Sequence, residues 1–192
     1  KLRRVMVRNE RLSASPDRNG MLEEQASFDS TVKPDDLRRF ATIDSVSEVL
    51  QAPHPVEYWK SAPYLLNTMD RTGYKLKREF VDAAEDNLPD LIGALADREQ
   101  HLLQWQKMES CKPLDPGNGR LRRLLDRTVE RDMWKLLWTP ANLPYYRPED
   151  GPFAEMHGQS VSKHLVFSSW RIVPKVIAML SSFEAERRMI GE

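Results

Sequence analysis

Residues 162–188 constrain the fold of this chain more than any other stretch. An apolar run, His164 to Phe167, is followed by a small polar turn and then by apolar residues at spacings of three and four, which predict an amphipathic helix. Pro174 falls near the start of that helix, where its missing N–H group costs nothing. A strand that leads directly into a helix is typical of the first half of a βαβ unit, and a parallel strand needs partners on both sides. Because the chain offers few other strands, we interpret it as a piece of a larger protein, cut at both ends, with an incomplete α/β unit at its C-terminus.

The middle of the chain is predicted to be helical. Apolar residues recur at helical spacing in four segments: 33–50, 74–84, 90–108 and 119–138. The aromatic-rich segment 56–69 lies between the first two and is divided by Pro63, which predicts a new helical turn or a kink. Short β-prone stretches within residues 1–30 predict short strands at the N-terminal end. The predicted fold class is therefore mainly α: a helical bundle-like block, short strands at the ends, and an incomplete α/β unit.

Charge and composition exclude several classes of protein. Lys plus Arg and Asp plus Glu both number 29, so the formal net charge is zero, which argues against a wholly basic nucleic-acid-wrapping protein. The single cysteine, Cys111, excludes an intrachain disulfide framework and a cysteine-rich zinc site, and it fits a reducing compartment. No apolar run approaches the roughly 20 residues of a membrane span. The sequence therefore predicts a cytoplasmic protein without a membrane contact.

The sequence contains no residue set that is typical of an enzyme. Neither a G-x-x-x-x-G-K-[ST] phosphate loop nor a G-x-G-x-x-G motif is present. No two histidines stand at i, i+4, the spacing that holds a metal ion on a helix, and His101 and His164 are predicted to be structural. Cys111 lies in a polar loop without a nucleophile signature. The acidic run at 79–90 is predicted to be a solvated helix face, with a Mg²⁺ site as the alternative.

Arginines cluster at the start of the last helix of the predicted block. Arg120, Arg122, Arg123 and Arg127 all fall within its first two turns. Such a cluster binds phosphates, and the binding weakens as the salt concentration rises. The same pattern is also typical of a solvated helix face on which arginines pair with neighbouring acids. From the residues alone, both interpretations stay open.

Several stretches resemble one protein family. LVFSSW at 165–170 resembles motif IV of superfamily 2 helicases and Swi/Snf-like translocases, where it is the first strand of the second RecA-like domain and its exit turn. VMVRNERL at 5–12 resembles the arginine-bearing segment that follows the first RecA-like domain in the Swi/Snf-like group. Three further stretches are similar to parts of large bacterial helicase-related proteins of that group: EYWKSAPYLL at 57–66, LWTPANLPYY at 137–146 and FSSWRIVPKVIAMLSSFEAER at 167–187.

The resemblance implies a division of the chain into four parts. Residues 1–30 would end the first motor-domain region, 31–138 would be a helical insertion, 139–161 a proline-rich linker, and 162–192 the first strand and helix of the second RecA-like domain. The parent protein would be an ATP-driven helicase or translocase that binds ATP and Mg²⁺. The phosphate loop, the acidic motif and the arginine finger all lie outside this sequence. No catalytic residue and no cofactor site is therefore expected in the chain itself.

The function implied by the resemblance is non-catalytic. The helical block would contribute to engagement of nucleic acid, with DNA as the expected partner, or to coupling between the two motor lobes. Residues just after the motif IV strand touch the nucleic-acid backbone in the family. The candidate phosphate contacts are Arg120, Arg122, Arg123, Arg127, Ser168 and Ser169. The alternative is a protein-interaction module that docks a partner through segment 56–69, and the strand at 164–168 would also allow pairing with a second copy of the chain.

Overall fold

A computed structural model of the chain describes residues 31–136 and 164–191, together with Ala154. These residues are mainly helical, and none of them belongs to a β-strand. The α-helices of this part are α1 (Pro34–Val49), α2 (Val56–Ser61), α3 (Leu65–Thr68), α4 (Lys75–Glu85), α5 (Pro89–Leu95), α6 (Trp105–Glu109), α7 (Gly119–Arg127) and α8 (Ile172–Gly191). Short 3-10 helices lie at Glu99–His101, Val129–Arg131 and Met133–Leu136.

Helices α1 and α4 confirm the periodicity of the sequence to within one residue at each end. Pro34 occupies the first position of α1, where a backbone N–H group is not needed. The backbone N–H of Lys33 donates to the Asp36 carboxylate at 2.9 Å, which ties the start of the helix to its own first turn. Helix α5 begins in the same way, with Pro89 at its first position.

Two predicted helices are shorter in the structure. The segment 90–108 is broken after Leu95, because Asp97 has a φ of 58° and a right-handed helix cannot continue through that conformation. Helix α7 ends at Arg127, because Thr128 leaves helical geometry and donates its hydroxyl back to the Leu124 carbonyl oxygen at 2.7 Å. Apolar spacing runs on past both breaks, so the pattern predicted longer helices than the backbone forms.

One hydrophobic core joins the helical block to α8. The buried side chains of α8 belong to the same hydrophobic cluster as those of α1, α3 and α7. Its largest fully buried side chains belong to Val46, Leu65, Leu66, Ile172 and Val176. The predicted division of the chain into four parts stays a prediction, and its linker at 139–161 lies almost wholly outside the described residues.

The fold class predicted from the sequence is wrong at the C-terminal end. Residues 164–168 have no regular secondary structure, and they pair with no strand in the part that the structure describes. The side chains of Leu165 and Phe167 are 82% and 88% exposed. An isolated strand cannot pair its backbone groups or bury a face, and the described ranges supply no second strand. The described chain is therefore helical without an α/β unit. The short strands predicted within residues 1–30 lie outside the described ranges.

Candidate nucleic-acid interface

Helix α7 carries the four arginines and has two distinct sides. The Asn118 side chain caps its start by accepting from the backbone N–H groups of Arg120 at 2.8 Å and Leu121 at 3.3 Å. Leu121 and Leu125 are buried in the core and fix which side of the helix faces inward. With about 100° between successive residues, Arg122 lies at the border of this buried side, whereas Arg120 and Arg127 lie far from it.

Arg122 belongs to a buried ion cluster that comprises Asp36, Arg39, Asp115 and Arg122. Both Nη atoms of Arg122 donate to the Asp36 carboxylate, the Nη1 bond being 3.0 Å long. Arg39 Nη1 donates to Asp115 Oδ1 at 3.0 Å. Only 3% of the Asp36 side chain and 13% of the Arg122 side chain are exposed. The cluster holds α1, α7 and the loop before α7 together.

The electrostatic surroundings of Asp115 and Arg122 favour the charged form of each side chain. Burial alone would raise the pKa of Asp115, but the Gly117 N–H group at 2.6 Å and the Arg39 guanidinium hold that pKa below its usual value. The hydrogen bond with Asp36 raises the pKa of Arg122 further. The hydrogen bonds and ion pairs of these four side chains fix the geometry of the cluster.

Arg120 and Arg127 are placed differently from Arg122. Both side chains are exposed, and neither makes an ion pair within the described ranges. Arg123 is half buried and has a partner. Of the four arginines that the sequence singled out, the structure thus directs one into the ion cluster and leaves two on the surface with their full charge available.

Ser168 and Ser169 lie in the exposed turn that leads into α8. The Ser168 hydroxyl oxygen accepts from the backbone N–H of Trp170 at 3.1 Å, so this serine stabilises the turn. Both hydroxyl groups remain accessible to solvent. A role in the turn and a contact with a phosphate are compatible, because a hydroxyl group has one donor and two acceptor positions.

An aromatic cluster that the sequence did not predict attaches this turn to the helical block. The rings of Trp170 and Tyr58 have centroids 4.7 Å apart, and those of Tyr58 and Tyr74 are 5.6 Å apart at nearly a right angle. The hydroxyl oxygen of Tyr74 accepts from the backbone N–H of Ile172 at 3.0 Å. The only signal in the sequence was the density of aromatic residues near Tyr58, which gave no indication of their partner across the chain.

Segment 56–69, which the alternative interpretation uses as a docking surface, is mostly interior. Tyr64, Leu65, Leu66 and Met69 are all less than 7% exposed. The Tyr64 hydroxyl donates to the Asp115 carbonyl oxygen at 2.5 Å, and burial raises the pKa of this phenol. The segment therefore supports the core and the ion cluster, and it does not present its large apolar side chains to a partner.

A cleft of about 300 Å³ lies between α8, α7 and the loop that precedes α7. Its apolar wall includes Leu125 and Leu180. At its rim, Arg188 pairs with Glu130 at 2.5 Å and with Glu184 at 3.1 Å, which ties α8 to the 3-10 helix after α7. These ion pairs satisfy one another, so the cleft shows no charge pattern that indicates a ligand.

Other kinds of site find little support in the described residues. No group of three or more His, Cys, Asp and Glu side chains lies close enough there to hold a metal ion. The Asp82 and Glu85 carboxylates of the acidic run pair with Arg71. None of the described helices combines the length and the apolar character needed to cross a membrane. The sequence has no phosphate-loop motif to which an ATP molecule would be assigned.

Comparisons with known proteins yielded no relative. No protein-family model, no curated protein and no solved structure matches the chain significantly.

Proposed function

We propose that this chain is a non-catalytic, helical nucleic-acid-engaging segment of a larger, cytoplasmic, ATP-driven motor of the helicase or translocase type. Its proposed partner is DNA, contacted through the exposed arginines of α7, with Ser168 and Ser169 as further phosphate contacts. ATP and Mg²⁺ would be bound by other parts of the parent protein. The observation that carries the proposal is the exposure of Arg120 and Arg127 on one helix without an ion-pairing acid in the described ranges.

Two exposed arginines elsewhere in the chain pair with acids. The exposed Arg38 pairs with Asp35, and Arg71 pairs with Asp82 and Glu85. Arginines left without such partners retain their full attraction for phosphate, and arginine is well suited to phosphate because its guanidinium donates two parallel hydrogen bonds. The contrast within one chain favours a binding role for α7 over a solvated face.

The proposal is tested by reversing both charges in the full chain. We expect the double variant Arg120→Glu/Arg127→Glu to bind a labelled DNA duplex at least tenfold more weakly at low salt. Because two phosphate contacts are lost, the slope of log K against log salt should fall by about 2. Fluorescence anisotropy across a salt series measures both quantities.

The matched control is Lys107→Glu/Lys112→Glu, which makes the same change in net charge at two exposed lysines on and just after α6. Equal weakening by both double variants would mean that only net charge matters, and it would contradict a dedicated surface on α7. Arg122 is left out of the test variant because its charge reversal would disrupt the buried ion cluster.

A protein-docking role through segment 56–69 is the alternative function. It has less support, because the large apolar side chains of that segment lie in the core.

A further inference from the structure

The segment that precedes α8 presents apolar side chains to solvent. Leu165 and Phe167 are the two most exposed large apolar side chains in the described ranges, and Val166 between them is also exposed. Single apolar side chains on a surface are normal, whereas neighbouring ones that form a patch mark a contact site. Three such residues in a row therefore point to a partner.

The backbone of the same segment has unused hydrogen-bonding groups. Within the described ranges, the N–H and C=O groups of residues 164–167 make no hydrogen bond. The segment is nevertheless attached to the helical block just after it ends, because the Trp170 ring packs on Tyr58 and the Ile172 N–H donates to Tyr74. A segment held in this way loses less conformational freedom on binding than a free chain end, which favours docking.

Three cations lie around a single carboxylate beside the turn that joins this segment to α8. Lys175 pairs with Asp70 at 2.5 Å. The hydrogen bond and charge of Lys175 lower the pKa of Asp70, and the charge of Arg171 lowers it further. Burial, and then the charge of Lys175, lowers the pKa of Lys77. These four side chains have a net positive charge, and the exposed Arg171 makes no ion pair in the part of the chain that the structure describes.

These features favour an acidic peptide with apolar side chains as the ligand. An extended peptide supplies backbone groups to residues 164–167 and apolar contacts to Leu165 and Phe167, while its carboxylates face Arg171. A lipid bilayer accepts apolar side chains but leaves the backbone groups of the segment unpaired. The same segment of a second copy offers no carboxylate, because residues 157–171 contain no acid.

We propose that residues 164–171 are a docking surface for a partner protein, which contributes an acidic segment with apolar side chains between its acids. Leu165 and Phe167 supply the apolar contacts, the backbone of 164–167 supplies hydrogen bonds, and Arg171 supplies the charge. The docking surface is independent of the proposed function, because it needs neither of the exposed arginines of α7.

The test measures binding of the full chain to a fluorescein-labelled synthetic peptide of alternating glutamate and leucine, roughly seven residues long, by fluorescence anisotropy at low salt. A peptide with lysine in place of glutamate should bind about tenfold more weakly or worse, because it places like charges together. A peptide with serine in place of leucine should lose about as much, because it lacks the apolar contacts.

Variants of the chain locate the binding surface. Phe167→Ser should weaken binding of the glutamate–leucine peptide about tenfold, because one apolar contact is lost. Arg171→Glu should weaken it severalfold, and by less at high salt. The matched controls are Ile190→Ser, at an exposed apolar residue of α8, and Arg127→Glu, at an exposed arginine of α7. Thermal unfolding checks that each variant is folded.

Three outcomes would contradict the docking surface. The first is a glutamate–leucine peptide that binds no more tightly than its lysine counterpart. The second is equal weakening by Phe167→Ser and Ile190→Ser, or by Arg171→Glu and Arg127→Glu. The third is binding of phosphatidylserine vesicles, lost in Phe167→Ser, by a chain that does not bind the peptide, which would identify a membrane contact instead. Because these assays contain no nucleic acid, their failure is distinct from failure of the proposed function.

Discussion

Asp36 has a carboxylate that is almost fully buried, so it needs hydrogen-bonding and ion-pairing partners inside the protein. The carboxylate accepts from the Lys33 backbone N–H and from both Nη atoms of Arg122, and the Arg39 guanidinium forms an ion pair with it at 3.8 Å. A buried ion pair adds little stability compared with well-packed apolar residues, but removal of one partner leaves an uncompensated charge. Arg122 therefore matters to the fold because its removal would leave the buried Asp36 carboxylate without its closest ion-pairing partner.

We expect Arg122→Ala to lower the free energy of unfolding by about 3–5 kcal/mol, the range for breaking a buried ion pair. Arg120→Ala on the same helix removes an exposed side chain and should change stability by no more than about 0.5 kcal/mol. Urea denaturation followed by circular dichroism measures both variants. Similar stabilities for the two would show that the ion cluster does not support the fold.

A second prediction at this scale concerns His101. Its Nδ1 lies 2.7 Å from the Thr42 hydroxyl oxygen, and burial together with the nearby Arg39 lowers its pKa, while Asp35 acts in the opposite direction. The unfolded chain then binds a proton more readily than the folded one. The corresponding stability is fully present above the unfolded pKa of about 6.5 and is lost as the pH falls through the folded pKa.

We therefore expect the melting temperature to fall between about pH 7 and about pH 5.5, above the range in which most carboxylates titrate. His101→Gln keeps a polar side chain near Thr42 but does not titrate, so the variant should show a smaller decrease. An identical decrease in both proteins would mean that other groups cause the pH dependence.

Among the elements, α8 differs most from the prediction, because the sequence assigned this helix to an incomplete α/β unit. Its apolar side completes the core of the helical block, and its charged residues reach the same block at both ends. Lys175 pairs with Asp70 at 2.5 Å, and Arg188 pairs with Glu130. The hydrogen bond and the charge of Lys175 lower the pKa of Asp70. The helix is thus an integral part of the block.

Truncation of a core residue on α8 tests this packing. Leu180 is 4% exposed, and we expect Leu180→Ala to cost about 2–5 kcal/mol of stability for the whole block. Ile190 on the same helix is 71% exposed, so Ile190→Ala should stay within about 0.5 kcal/mol. A single unfolding transition that Leu180→Ala leaves unchanged would show that α8 does not share the core.

At the scale of the whole molecule, local patterns predicted α1, α4 and the start of α8. All three helices depend on apolar spacing, and α1 and α8 also have a proline in their first turn. The strand at 164–168 was predicted wrongly, because a strand exists only through its neighbours and a local pattern cannot supply them. The place of Arg122 in the ion cluster was not predicted either, since its partner Asp36 lies 86 residues earlier in the chain. Its position beside Leu121 and Leu125 was the one available signal that it faces inward.

The attachment of α8 also has a kinetic consequence. Ile172 and Tyr74 are 98 residues apart in the chain, and Lys175 and Asp70 are 105 apart. Contacts over such separations require large loops to close before they stabilise anything, which slows folding. During synthesis, the block emerges from the ribosome before α8, so the core side chains of the block lack their α8 partners until the helix follows.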